Sequence, residues 1–191
     1  MLLNPLTFHA PKTIDEAAKL YKDLPGARLQ AGGTFLLNAL KLQKRKGTKT
    51  PEHVISLFKV NDLKGISLTD SEMVIKAMTT IDELFESPYL KDNFSVFKIV
   101  CRNISTQQIR NMATVGGNLT CRYTWTEMPA VMIGMDAKMH FMDSAEKTEI
   151  LSAEDFFKGA AKTEKLFTHV SIPRRKDVTI AYQRVKKNPV R

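Results

Sequence analysis

Ala31-Gly32-Gly33-Thr34 and Thr114-Val115-Gly116-Gly117-Asn118 are two runs with paired glycines, each preceded by apolar residues. Because glycine has no Cβ, it permits positive φ and a close approach of backbone to ligand, so successive N–H groups can converge on an anion. We expect both runs to be turns that hold a pyrophosphate through main-chain amides, helped by the hydroxyls of Thr34 and Thr114. Glycine pairs also mark ordinary turns in any fold, so the pattern alone leaves a purely structural role open.

The segments around the first run predict a small α/β unit. Thr13-Ile14-Asp15-Glu16 is a capping box, and the helical spacing of apolar residues after it predicts a helix over 13–23. We expect a buried strand over 28–31, a second helix from Leu36 to Leu42 and another strand over 53–57. Together these elements make one α/β unit of about 55 residues, near the low end for domains.

Beyond residue 63 the pattern changes to short strands and short helices. A hairpin is expected over 65–77, and the run Thr79-Thr80-Ile81-Asp82-Glu83 is expected to cap a short helix. The later elements are a helix over 94–101, a buried helix over 129–135, a strand over 138–142, a helix capped by Ser152, and strands over 166–172 and 178–185. No internal repeat is present.

The chain has 191 residues and a formal net charge of +9, from 29 Lys and Arg against 20 Asp and Glu. The excess is local, because the basic segment 41–49 has five bases and no acid, and the tail 174–191 has seven bases and one acid. The rest is nearly neutral, which argues against a nucleic-acid-binding surface over the whole body. The two basic segments are open to three interpretations: solvated faces, docking sites for acidic partners, or the contacts of a nucleic-acid or phosphoprotein adaptor.

Several familiar sites are excluded by inspection. Cys101 and Cys121 cannot build a disulfide framework, and two cysteines alone cannot hold an iron–sulfur cluster. The four histidines are far apart, and P-loop, serine-hydrolase and zinc-protease motifs are absent. We therefore expect no metal site and no catalytic side chain. A signal-peptide pattern and a membrane-length apolar run are also lacking, so a cytoplasmic protein is expected.

Five stretches of the chain share one register with a known family. They are Phe8-His9-Ala10-Pro11-Lys12-Thr13-Ile14-Asp15-Glu16-Ala17, Ala31-Gly32-Gly33-Thr34, Gln108-Ile109-Arg110-Asn111-Met112-Ala113-Thr114-Val115-Gly116-Gly117-Asn118, Asp155-Phe156-Phe157 and Ile172-Pro173. In them the chain resembles the FAD-binding medium subunit of the molybdenum hydroxylases, which include aerobic carbon monoxide dehydrogenase and xanthine dehydrogenase. The match covers nearly the whole chain.

The resemblance implies an α+β chain with the two-subdomain FAD-binding fold of the vanillyl-alcohol-oxidase (PCMH) type. A small parallel α/β subdomain would cover residues 1–55, and a larger subdomain with an antiparallel sheet would cover 56–177. FAD would lie non-covalently between them. The family carries a C-terminal domain after the point at which this sequence ends, so 178–191 is expected to be the start of that domain or a linker to it.

The resemblance also implies which residues bind FAD. Two loops would hold the pyrophosphate, namely Ala31, Gly32, Gly33, Thr34 and Phe35, then Thr114, Val115, Gly116, Gly117 and Asn118. Glu127 falls where an aspartate often contacts the adenosine side of the flavin, Arg184 falls where a lysine near the flavin ring is common, and Leu166 would pack beside the ring.

Two departures from the family affect the surroundings of the ring. Phe35 stands where a polar or acidic residue is usual, and Cys121-Arg122-Tyr123-Thr124-Trp125 replaces a plainer stretch rich in Ala and Pro. Tyr123 and Trp125 are equally open to two interpretations, packing in the core or stacking on a cofactor.

The function that the resemblance implies is electron transfer by an oxidoreductase subunit. A molybdenum cofactor on a large subunit would oxidise the substrate, two-iron clusters on a small subunit would carry the electrons, and FAD would pass them to an external acceptor. We expect a hetero-oligomer that binds no nucleic acid. A self-contained flavin oxidase of the same fold is the alternative, and the basic adaptor is a weaker one because it lacks a recognition helix and RNA-binding motifs.

Overall fold

A computed structural model describes residues 4–123, 126–143, 147–159 and 165–185 of the chain. Its first sheet has three parallel strands in the order β1-β3-β2. The strands and their helices are β1 (Thr7–His9), α1 (Ile14–Asp23), β2 (Arg28–Gln30), α2 (Leu36–Arg45) and β3 (His53–Ser56). The subdomain boundary expected at residue 55 falls within β3.

Local caps explain where α1 begins, as the sequence predicts. The Thr13 hydroxyl accepts a hydrogen bond from the Glu16 amide at 3.1 Å, and the Glu16 carboxylate accepts one from the Lys12 amide at 2.8 Å. Strand β3 lies in the middle of the sheet and buries Val54 and Ile55. The prediction of a buried strand at 28–31 is wrong in its burial, because β2 lies at the sheet edge and is exposed or half-buried.

The second sheet has five antiparallel strands in the order β4-β5-β8-β6-β7. They are β4 (Ile66–Leu68), β5 (Glu72–Lys76), β6 (Lys138–Met142), β7 (Thr148–Ser152) and β8 (Leu166–Pro173). Six helices accompany them: α3 (Ile81–Phe85), α4 (Val96–Asn103), α5 (Gln107–Arg110), α6 (Val115–Thr120), α7 (Met128–Gly134) and α8 (Ala153–Lys158). Short 3-10 turns lie at Asn61–Leu63 and Asp92–Ser95.

One hydrophobic core joins the helices to the inner face of this larger sheet. Met139 and Phe141 of β6 point into it, while Lys138 and His140 lie on the opposite face, as strand alternation requires. Ala17 and Ala18 of α1 belong to the same cluster. The small parallel unit therefore packs against the larger one rather than standing apart.

Three sequence predictions about secondary structure differ from the observed fold. The run 114–118 is not a turn, because Thr114 caps α6 and both glycines lie inside that helix. Strand β7 was not predicted, and the strand expected over 178–185 is absent from the described residues 178–185. Instead Ile180 and Tyr182 pack on the core from an irregular segment, which explains the apolar alternation without sheet pairing.

None of the helices in the described ranges has both the length and the apolar character that a membrane span requires.

Candidate functional site

A cavity of about 600 Å³ lies between the small parallel unit and the larger sheet. Its walls come from the first glycine run, β2 and α2 on one side, and from α6 and the beginning of β8 on the other. Ten of the predicted site residues line it: Ala31, Gly32, Gly33, Thr34, Phe35, Thr114, Gly116, Gly117, Asn118 and Leu166. A cavity of this size is ordinary for a cofactor site.

The fold brings the two glycine runs, far apart in sequence, into direct contact. A Cβ on Gly32 would lie 1.8 Å from the carbonyl oxygen of Met112, and a Cβ on Gly117 would lie 3.6 Å from the Cβ of Ala31. The approach at Gly32 is possible only because that residue has no side chain, whereas the distance at Gly117 is an ordinary van der Waals contact. The sequence prediction that both runs serve one site is therefore geometrically possible.

The first glycine run leads into the N-terminus of α2 with open donors. Gly33 has φ of +70°, a conformation that favours glycine, and Phe35 at the N-cap supplies no side-chain hydrogen bond. Among the described residues, the N–H groups of residues 33–36 donate to no protein acceptor. Because helix α2 has ten residues and its first amides carry partial positive charge, this end of the cavity can bind an anion.

The second run differs from the expectation that both runs present free amides. The N–H groups of Val115 and Gly116 donate to the carbonyl oxygens of Thr79 and Ala77, each at 2.8 Å. The amide of Gly117 donates to the Thr114 hydroxyl at 3.1 Å, and the amide of Asn118 donates to the Thr114 carbonyl at 2.9 Å. These donors are engaged, so the second run cannot form an anion nest in this arrangement.

The second run contributes the Asn118 side chain and close backbone packing to the cavity wall. The Asn118 Oδ1 is buried and has no hydrogen-bond partner among the described residues. A buried acceptor without a donor is costly, which makes this atom a natural partner for a donor on a ligand. A Cβ on Gly116 would lie 2.6 Å from the Ala77 carbonyl oxygen, so that glycine is explained by packing. Val115 is fully buried and does not line the cavity.

Apolar and aromatic groups form the rest of the wall. Leu166 is buried and lines the cavity together with Ile104, as do the rings of Phe141, Phe156 and Phe167. The rings of Phe35 and Tyr123 are 4.5 Å apart between centroids. Burial raises the pKa of the Tyr123 phenol, and nearby Cys121 adds to the rise while Arg28 opposes it. Tyr123 thus lies at the cavity, whereas Trp125 is outside the described residues.

Glu127 and Arg184, which the sequence assigns to the two ends of the cofactor, lie next to each other in this structure. Glu127 Oε1 and Arg184 Nη1 form an ion pair at 2.6 Å, and the Glu127 side chain is only 11% exposed. Neither residue is among those that line the cavity. Glu127 was expected near the adenosine side and Arg184 near the flavin ring. They pair with each other because the irregular segment after β8 runs past the N-terminus of α7, where Glu127 lies.

The histidines are paired by the strands although they are far apart in sequence. His9 Nε2 and His53 Nδ1 are 3.2 Å apart, and the rings of His140 and His169 stack with centroids 4.0 Å apart. In the described ranges, no group of three or more His, Cys, Asp and Glu side chains is arranged to hold a metal ion.

Sequence reasoning missed several residues of the cavity wall. Arg28, Gln43 and Tyr21 line it from the small unit, and Thr126 and Lys165 line it from the larger one. For Gln43 a partial signal existed, because it lies seven residues after Leu36, but the predicted helix ended at Leu42 and the observed α2 continues to Arg45. The others depend on contacts between distant segments.

Comparison with known proteins identifies the family. A family model described as the FAD binding domain in molybdopterin dehydrogenase matches residues 4–175. The chain belongs to this family. Its cofactor is FAD, and the resemblance and the two-subdomain fold expected from the sequence are confirmed.

The relatives of this FAD-binding domain are longer proteins. The carbon monoxide dehydrogenase medium chain of Afipia carboxidovorans is 33% identical over 178 residues, covering 91% of this chain and 60% of that protein. The medium chain from Hydrogenophaga pseudoflava is 32% identical and is matched over 53% of its length. The chain thus spans between half and two thirds of these relatives.

A solved structure agrees with the fold of the FAD-binding domain. Carbon monoxide dehydrogenase from Hydrogenophaga pseudoflava, in a form that lacks the Mo-pyranopterin moiety of its molybdenum cofactor, superimposes with a TM-score of 0.88 at 28% identity. The match covers 98% of this chain and 66% of that one.

The residues present fit FAD. Open amides at the start of α2 suit the pyrophosphate, the partnerless Asn118 oxygen suits a donor group, and the apolar wall around Leu166 suits a flat ring.

Proposed function

We propose that this FAD-binding chain is part of an electron-transfer subunit of a molybdenum hydroxylase, passing electrons from iron–sulfur clusters to an external acceptor. Bound FAD supplies the redox chemistry, and the protein supplies binding, orientation and electrostatics. The observation that carries the proposal is that residues 33–36, whose amides donate to no acceptor among the described residues, all line the cavity. Each hydrogen bond to a charged phosphate oxygen contributes about 1.5–3 kcal/mol.

The chain's own residues hold and orient the cofactor in this proposal. Gly33 and the first turn of α2 bind the pyrophosphate, while Asn118 Oδ1 accepts a hydrogen bond from a donor of the cofactor. Leu166 and Ile104 pack against the ring and exclude water from its faces. The hydroxyl of Thr114 keeps α6 in place by accepting from Gly117.

The composition of the wall supports electron transfer over a self-contained oxidase. The described residues that line the cavity include Arg28, Arg122 and Lys165 but no Asp, Glu or His. Histidine is the side chain that most often abstracts a substrate proton, and Asp and Glu also do so; the wall offers only Lys, Tyr and Cys side chains for that role, namely Lys165, Tyr21, Tyr123 and Cys121. A flavin that only relays electrons needs no such base.

The partners in this proposal are a large subunit with the molybdenum cofactor and a small subunit with two-iron clusters. The relatives' names, medium chains of carbon monoxide dehydrogenase, support a hetero-oligomer. The exposed bases Lys41, Arg45, Lys46 and Lys49 of the segment 41–49 offer a docking surface for acidic partners, and Lys49 already pairs with the carboxylate of Glu52 at 3.5 Å. A cytoplasmic location accords with the free, buried thiol of Cys101.

The proposal is tested by titrating the purified chain with FAD and with riboflavin, following quenching of flavin fluorescence. We expect FAD to bind far more tightly, because riboflavin has no phosphate for the open amides. Co-expression with candidate large and small subunits should then give a complex in which substrate bleaches the flavin absorbance. A folded chain that takes up no FAD, or binds riboflavin equally well, contradicts the proposal.

A further inference from the structure

One face of α2 runs along the cavity for the length of the helix. Leu36, Ala39, Leu40 and Gln43 all line the cavity, and their spacing of three, four and seven residues places them on one side of the helix. At a rise of 1.5 Å per residue, Gln43 lies about 10 Å beyond the open amides at the start of α2. A ligand anchored by a phosphate at the helix N-terminus can therefore extend along this face to Gln43.

The end of this face carries an acceptor without a donor. Gln43 Oε1 is buried and makes no hydrogen bond within the described residues. The Asn118 Oδ1 is the other buried side-chain atom of this kind there, and both residues line the cavity. A buried amide oxygen left without a donor is destabilising, so both positions favour a ligand that brings N–H or O–H groups.

The chemistry of FAD limits what can reach each oxygen. Its phosphates only accept at neutral pH, whereas the adenine amine, the sugar and ribityl hydroxyls and the flavin N3–H donate. The ribose hydroxyls are adjacent to the phosphate, about one helical turn from the N-terminus of α2, while Gln43 lies two turns away. The adenine amine is the donor at the far end of the adenosine half.

We infer that Gln43 recognises the adenine amine through Oε1, with the adenosine half of FAD lying along α2 and the ring half lying against Leu166. Ala27, Arg28 and Ala39 also line the cavity, and Ala39 lies one helical turn before Gln43 in α2. A second hollow of about 470 Å³ shares Ala27, Arg28 and Gln43, so space for the base continues past the helix face. The large apolar rings cluster instead near Leu166.

This inference rests on the proposed function, since it places the pyrophosphate at the start of α2. The experiment compares Gln43→Met, which keeps the length of the side chain but removes its acceptor, with Asn38→Leu, which removes an exposed amide from the same helix. Binding of FAD, ADP and FMN to the full chain is measured by calorimetry. Loss of one hydrogen bond should weaken FAD and ADP by a similar factor of about ten.

FMN binding should be unchanged in Gln43→Met, and Asn38→Leu should bind all three ligands like the original chain. Equal weakening of FMN, or weakening of FMN without ADP, would place the flavin half at Gln43 and overturn the inference. Unchanged FAD and ADP affinity in a folded Gln43→Met variant would overturn it too. Thermal unfolding of the chain without ligand provides a second readout, because removal of a partnerless buried acceptor should raise its melting temperature.

If the original chain binds neither FAD nor ADP, the proposed function itself fails, and that outcome is distinct from an unaltered affinity in the variant.

Discussion

The backbone of Gly32 lies against the carbonyl oxygen of Met112, so close that a Cβ at residue 32 would be 1.8 Å from that oxygen. This contact fixes the first glycine run against the segment that leads into α6. The two runs thus line the same cavity side by side. Only the first run has backbone N–H groups that donate to no acceptor among the described residues. Glycine is required at residue 32 by the neighbouring backbone rather than by a ligand.

Gly32→Ala should therefore destabilise the chain whether or not FAD is bound. The new methyl group meets a backbone carbonyl that cannot move aside, so we expect a loss of about 3 kcal/mol in the free energy of unfolding. Gly134→Ala is the control, since it lies in α7 with open space at its Cβ and should gain about 0.5–1 kcal/mol. Urea unfolding of both variants measures the difference, and equal stability would refute the role assigned to the contact.

Gly33→Ala should lower both stability and FAD affinity. An alanine at φ of +70° costs about 1–2 kcal/mol, and relief of that strain turns the amides of residues 33–36 away from the phosphates. Gly47→Ala introduces the same backbone strain, at φ of +67°, just beyond the C-terminal end of α2. We expect similar losses of stability for the two variants but about tenfold weaker FAD binding only for Gly33→Ala. A similar FAD affinity in both would contradict the assigned phosphate site.

Arg184→Met should destabilise the chain by about 1–3 kcal/mol, because it leaves the nearly buried Glu127 carboxylate without its cation. The double variant Glu127→Gln with Arg184→Met should recover part of that loss. Burial raises the pKa of Tyr182, Glu127 raises it further and Arg184 opposes both, so the Tyr182 pKa should rise again in Arg184→Met. Chemical unfolding and ultraviolet titration of tyrosine test the two effects, and additive single variants would show that the pair is not coupled.

The stacked pair of His140 and His169 should make the chain sensitive to acid. Burial, and then the neighbouring His140, lower the pKa of His169 to about 4, with Lys76 adding to the shift and Glu72 opposing it. Between pH 6.5 and about 4, the His169 imidazole is therefore protonated in the unfolded chain but neutral in the folded chain. This contribution to stability is complete above pH 6.5 and is lost as the pH falls towards 4.

Because the His169 side chain is only partly buried, the loss should be about 1–2 kcal/mol rather than the full value of the pKa shift. Urea unfolding at several pH values between 7 and 4 measures it. His169→Gln should flatten the profile, while His9→Gln on the smaller sheet should keep it. An unchanged slope in His169→Gln would assign the acid sensitivity to other groups.

The helix starts could be predicted because each depends on residues within one turn. Thr13, Thr80 and Ser152 cap α1, α3 and α8 with the side-chain contacts that their sequences indicate. Strand β7 escaped prediction because its exposed edge position leaves only a weak alternation of apolar residues. The segment 178–185 has that alternation, but its apolar side chains pack on the core without a neighbouring strand.

The sequence predicted most of the residues that line the candidate site, but not which of their backbone N–H groups are available for a ligand. Ten expected residues line one cavity, because paired glycines permit close approach of backbone segments and the resemblance assigned both runs to one site. Which amides stay open could not be read from the chain, because the acceptors for the amides of Val115 and Gly116 are Thr79 and Ala77, more than thirty residues away. The ion pair between Glu127 and Arg184 could not be read from the chain either, because these residues are also far apart in sequence.

The sequence by itself determined the helix caps, most of the strands, the paired glycines and the family, because these are recorded in neighbouring residues or in the order of short motifs. Only the tertiary structure decided that Gly32 abuts Met112, that α2 keeps its first amides free, and that Gln43 and Asn118 reach the cavity without partners. The physical reason is that a hydrogen-bonding group is open or engaged according to what the fold places beside it, and those neighbours come from distant parts of the chain.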